Sequence, residues 1–210
     1  MNNSKYDAVT VLYRRTINKV KTNPQEWQNF IRSTAHNYKL HFDEKILLYA
    51  QKPDAKAVLE LKQWNKKFGR AVARGVKGIA VFNNYPYKHS LKYYFDVSDT
   101  IPTNQSIDVP IWNINNENYN IVTDYFQNNF DSIDDDLSVT IQNAVSQLSI
   151  DVIENYLDNN DTVFKDYTRD NLVEPLQEIV NNSSALLISE RLGVDSRFYS
   201  SDFEFLSKCS

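Results

Sequence analysis

Residues 62–77 read Lys-Gln-Trp-Asn-Lys-Lys-Phe-Gly-Arg-Ala-Val-Ala-Arg-Gly-Val-Lys. The run carries Lys62, Lys66, Lys67, Arg70, Arg74 and Lys77, with Lys56 just upstream, and interleaves Trp64 and Phe68 among them. Cations neutralise phosphates and release the counterions condensed on them, while aromatic faces stack on unpaired bases. The combination therefore suits a nucleic acid. Large aromatics also dominate buried area, so each ring has a second reading as core, with the cations as a solvated face. Gly69, Gly75 and Gly78 read as turn formers.

Other chemistries find no footing. His36, His41 and His89 are the only histidines, and none stands in an H-E-x-x-H helix that would hold zinc. His36 and His41 are five residues apart, which places them on different helical faces. Cys209 is the sole cysteine and has no nearby histidine to activate it. Neither a Walker-type loop nor G-x-G-x-x-G occurs. Asp134-Asp135-Asp136 opens a helical pattern, where carboxylates favour the helix dipole without any ion. The expectation is a protein without catalytic residues, metal or cofactor.

The net charge of −4 conceals a division. Residues 1–100 hold 18 Lys+Arg against 8 Asp+Glu, a net of +10, and residues 101–210 hold 5 against 19, a net of −14. Asymmetry of this size points to one polyanion-facing part and a separate acidic part. No run of about 18 apolar residues could span a membrane, and the first 15 residues lack the apolar core of a secretory signal. With one cysteine, the composition fits a reducing cytoplasm.

These side chains need elements to position them. Val9, Leu12, Tyr13, Thr16, Ile17 and Val20 recur at helical spacing over 5–22, and Asn23-Pro24 both ends that helix and starts the next, over about 24–36. Glu26 completes a capping box there. A third helix begins near Asp43 and ends at Lys52-Pro53, and a fourth is expected over 56–67, including Val58, Leu61 and Trp64. Residues 78–97 read as a β-hairpin. Gly78–Phe82 is an apolar run, Asn83 to Tyr87 is turn-rich, and Leu91, Tyr93, Phe95 and Val97 then alternate with Lys92, Tyr94 and Asp96. Residues 101–110 look like an irregular connector. Acidic helices follow near 117–129, 136–158 and 169–191.

One resemblance joins these segments. Trp27, Phe30, Tyr38, Phe42, the segment Leu47-Leu48-Tyr49-Ala50-Gln51-Lys52-Pro53-Asp54-Ala55, then Trp64, Gly69-Arg70 and Arg74-Gly75-Val76-Lys77-Gly78-Ile79 resemble the N-terminal domain of ArdC-type antirestriction proteins. The stretch Leu91 to Thr100 is similar to the front of very large, LtrC-like integrative-element proteins. The resemblance is strong over 24–100 and loose beyond. It implies single-stranded DNA binding within a mobile genetic element, in antirestriction or conjugative transfer. Arg70, Arg74 and Lys77 would contact phosphates, with Lys66 and Lys67 in the same cluster. Trp64 or Tyr49 would offer a stacking face, and Gln51 a polar group for a base or backbone. Gln51 to Asp54 read equally as a helix terminus and turn. Helicase, methylase and peptidase activities of larger relatives are not implied for this chain.

The expected fold is α+β, mainly helical, with a small antiparallel hairpin. A basic nucleic-acid-binding domain is expected over 1–100 and an acidic helical region over 101–210. A competing expectation is that the acidic part imitates a nucleic acid and occupies a host defence enzyme. In a third, it folds back and tunes the basic part.

Overall fold

The computed structural model of the chain describes residues 3–83, 90–130, 134, 136–159 and 168–208. The fold is α+β and mainly helical, with antiparallel sheets of three and two strands. It divides into two compact units, Met1–Val20 with Ser33–Ile111, and Lys21–Arg32 with Trp112–Ser210.

The first unit holds most of helix α1 (Asn3–Thr22), helix α3 (Phe42–Gln51), strand β1 (Val58–Glu60), helix α4 (Leu61–Phe68), and strands β2 (Arg70–Val72), β3 (Ile79–Asn83), β4 (Ser90–Asp96) and β5 (Thr100–Pro102). Strand β4 is central in the order β1-β4-β3, pairing Ile79 with Tyr94, Phe82 with Leu91 and Val58 with Asp96. Leu47 and Leu48 of α3, Val9 of α1 and Ala55 bury Val58, Ile79, Val81 and Tyr94. Tyr13 joins α1 to α3 by donating its hydroxyl to Asp43 at 2.7 Å. Burial, then that hydrogen bond, push the Tyr13 hydroxyl up to about 12.

Two buried polar side chains hold the segment between α3 and β1. Asn37 donates to Ala55 O and accepts from Val58 N. Asp96, 2% exposed, accepts from Lys56 N, Ala57 N, Ser98 N and the Ser98 hydroxyl. A buried polar group is tolerated when its bonding capacity is filled, and Asp96 fills its own with backbone N–H groups before β1 and after β4 and with the Ser98 hydroxyl.

The second unit is helical. Helix α2 (Pro24–Thr34) contributes its first nine residues, and α5 (Tyr119–Asn129), α6 (Leu137–Asn159) and α7 (Arg169–Leu192) supply the rest. Asn23 caps α2 as expected, accepting from Gln25 N and Glu26 N. Within this unit Trp27 Nε1 donates to the Ser183 hydroxyl at 2.8 Å, and Arg32 pairs with Glu190 at 3.0 Å. Ile141, Ala144 and Val145 of α6 pack with Ala185 of α7 and Phe126 of α5. Asp136 accepts from Ser138 N and so caps α6, Asp134 accepts from Asp136 N in the turn before it, and Asp135 lies outside the described residues.

Three expectations change. The helix foreseen over 56–67 begins only at Leu61, because Val58–Glu60 pairs with β4 and Glu60, in extended conformation, precedes the first helical turn. The connector foreseen at 101–110 opens with β5, which pairs with β2 in the register Arg70 to Pro102. Strands of three residues carry too little periodicity to be read from sequence. The division between units falls after Ile111, not Thr100, and α2 lies mostly with the acidic helices. Residues 100–107 stay with the basic unit because Ile107 N donates to Phe68 O and the Thr103 and Ser106 hydroxyls donate to Gly69 O. The helices at 117–129, 136–158 and 169–191 stand within a residue or two of their expected bounds. The turn foreseen at Asn84 to Tyr87 lies outside the described residues.

Burial acts to raise the Asp96 carboxyl, but the hydrogen bonds from Ser98, Ala57 and Lys56 outweigh it and hold the group below its ordinary value. A carboxyl depressed in the folded state stabilises above its unfolded value of about 3.9 and loses that contribution as pH falls through the folded value. Urea midpoints will therefore drop on acidification below about pH 4. The variant Asp96→Asn will be less stable at neutral pH and will show a shallower acid limb; an acid limb identical to that of the parent contradicts the assignment.

Candidate nucleic-acid interface

Helix α4 sorts its side chains by the helical period. Trp64 and Phe68 stand four residues apart on the inner face, ring centroids 5.6 Å apart, while Lys62 and Lys66 stand four apart on the outer one. Gly69 ends the helix in the left-handed region at φ 60°, its N–H donating to Asn65 O. A Cβ at this position would lie 2.5 Å from the Gln105 carbonyl oxygen, so glycine alone fits both the turn and the neighbour. The chain then enters β2 and a turn at Arg74-Gly75 before reaching β3.

This geometry places the sequence-predicted residues in two groups. Lys66, Lys67, Arg74 and Lys77 are exposed, as is Lys62, and their side chains make no ion pair or hydrogen bond among the described residues. Arg70 is half-buried: its Nε donates to the Thr100 hydroxyl at 2.6 Å and Nη2 to the Thr100 carbonyl at 3.1 Å, which fastens β2 to β5. It presents less of its guanidinium to a ligand than its neighbours do.

The aromatic and amide assignments need correction. Trp64 is 0% exposed and its Nε1 donates to Phe95 O at 2.8 Å, so the ring is core and offers no face for stacking. The Gln51 amide is consumed by the backbone. Nε2 donates to Ala80 O and Leu47 O, and Oε1 accepts from Ala80 N, so the side chain closes the free edge of β3. Tyr49 is half-buried in α3 and has a partner within the protein. Lys52, in the same segment, pairs with Asp99 at 2.6 Å. The segment from Leu47 to Ala55 is thus a structural brace.

An exposed aromatic ring lies instead on the sheet. Alternation along β4 invites an inward reading of Leu91, Tyr93 and Phe95, yet the structure buries the other set. Tyr94 is 8% exposed and donates to Glu44, Lys92 pairs with the same carboxylate, and Asp96 is enclosed. Burial acts to lower the Lys92 ammonium, but the hydrogen bond and charge of Glu44 outweigh it and raise the group. Tyr93 is left 42% exposed on the opposite face, with Leu91 and Phe95 beside it. Leu61 and Lys62, at the start of α4, border this face to form a groove of about 550 Å³. Gly78 abuts it, since a Cβ there would stand 2.9 Å from the Phe95 ring and 3.1 Å from Tyr93 Cβ. The sequence signal for Tyr93 was present as large apolar groups on both faces of one strand, a pattern that a sheet covered on one side cannot fully bury.

No protein-family model matches this chain, and comparison with curated proteins and with solved structures finds no match. The resemblance to ArdC-type domains rests on the motif residues quoted above. Among the described residues no helix is long and apolar enough to cross a membrane.

Replacing Trp64 by Phe keeps most of the ring but removes the donor to Phe95 O, which will cost about 1–3 kcal/mol of stability. Oligonucleotide affinity of the folded variant will be unchanged in a fluorescence-anisotropy titration. A large loss of affinity at full stability would return Trp64 to the interface.

Proposed function

We propose that the basic unit is a non-enzymatic single-stranded DNA-binding module of a mobile genetic element, acting in antirestriction or conjugative transfer. The observation that carries this reading is the exposure of Lys62, Lys66, Lys67, Arg74 and Lys77, unpaired among the described residues, along one short segment that flanks an aromatic groove. Elsewhere in the same unit Lys52 and Lys92 are neutralised by Asp99 and Glu44, whereas the segment 62–77 gathers these five exposed cations in one short stretch. A polyanion is the ligand that repays them, because each phosphate neutralised releases counterions. The groove favours an unpaired strand over a duplex, since only an unpaired base exposes its face to an aromatic ring. The motif resemblance to ArdC-type N-terminal domains points to the same ligand and is the ground for the biological setting.

Four phosphates contacted by Lys66, Lys67, Arg74 and Lys77 give a slope of about −3 in log affinity against log salt, or roughly fiftyfold weaker binding on going from about 50 to about 200 mM. Anisotropy titrations with a labelled oligo-dT will show that slope. Changing the four residues to Glu will abolish binding without unfolding the unit, as all four are surface positions. Binding that ignores salt, or that survives the fourfold reversal, sinks the proposal.

A further inference from the structure

We infer that the groove on the Leu91/Tyr93/Phe95 face is a base-stacking subsite, in which an unpaired DNA base lies against Tyr93 while its flanking phosphates meet Lys62 and the outer face of α4. The inference rests on the single-stranded DNA reading above and gives that ligand a place for its bases as well as its charges.

Three observations carry it. Tyr93 is the exposed ring of β4, 42% exposed on a strand whose other face packs Tyr94 against Leu47, Leu48 and Val9. Leu61, 55% exposed, faces the groove from the start of α4, so the site has apolar walls on two sides, as a planar base requires. Lys62 lines the same groove and Lys66 follows one turn later on the same helical face, which sets positive charge along one rim. Aromatic side chains on an open sheet face, edged by cations, are a recurrent platform for unpaired bases because every base has a π-face and stacking needs no particular sequence. Glu60 lines the groove from the end of β1, which directs phosphates away from that end and toward the lysines. Gly78 keeps the floor clear, since a side chain there would press on Phe95 and Tyr93, and Lys77 immediately precedes it.

The occupant is separable from the phosphate contacts by removing the bases alone. Anisotropy titrations of the full chain will compare oligo-dT with an abasic oligonucleotide of equal length and charge, for the parent, Tyr93→Ser, Tyr93→Leu and Tyr93→Phe. The parent is expected to bind oligo-dT about tenfold more tightly than the abasic strand. Tyr93→Ser and Tyr93→Leu are expected to erase that preference and leave abasic affinity unchanged. That unchanged affinity also certifies that the variants are folded, and Leu keeps an apolar side chain on the face. Tyr93→Phe is expected to retain the preference. Equal affinity of the parent for the two strands, or a preference that survives both Ser and Leu, overturns the subsite while the single-stranded DNA reading stands. Failure of the parent to bind either strand overturns that reading and the subsite with it.

Discussion

In the basic unit a three-stranded sheet has two faces, and helices close one of them. Leu47 and Leu48 of α3, joined by Val9 of α1, close the face bearing Ile79, Val81 and Tyr94. Two charged residues on that face are bound rather than expelled, Lys92 to Glu44 and Asp96 to the backbone at Lys56, Ala57 and Ser98. Once that face is closed, the side chains pointing the other way are committed to the remaining one. Its Phe82 end is covered by Tyr6 and Tyr13 of α1 at centroid distances of 5.4 and 5.6 Å. Tyr93 and its neighbours stay in contact with solvent beside a helix whose outer face is basic.

The same constraint explains why the segment from Leu47 to Ala55 looks functional in sequence and turns out to be structural. The edge strand β3 must have its backbone groups satisfied, and Gln51 does so with both ends of one amide. Lys52 is held by Asp99, and Ala55 is buried against the core while its carbonyl accepts from Asn37. Residue types that could read a ligand here read the fold instead. Charge then separates by unit. The residues after Glu60 hold a dense run of exposed cations, and the carboxylates of the other unit line helices that pack by apolar contact between α6 and α7.

Most long elements were legible in the sequence. Helical periodicity located α1, α2, α3 and the three acidic helices, and Asn23-Pro24 marked a real cap. What stayed hidden was short or non-local. Strands β1, β2 and β5 are three residues each, and their existence depends on partners roughly thirty to forty residues away, which no local pattern encodes. The site was half legible. Cations declare themselves by type and spacing, and those of the 62–77 cluster are exposed except Arg70. Trp64, read as a stacking face, is core, because whether Trp64 or Tyr93 faces solvent is decided by a tertiary bond, Trp64 Nε1 to Phe95 O, and by which face of β4 meets α3.

In the proposed reading one strand of DNA lies along the outer face of α4 and over the open face of the sheet. Amide chemical-shift mapping of the labelled protein during an oligo-dT titration tests it most directly. The account predicts shifts concentrated at Leu61 to Gly78 and at Leu91 to Phe95, with α6 and α7 unmoved. Perturbation centred on α6 and α7, or none at saturating oligonucleotide, would contradict it.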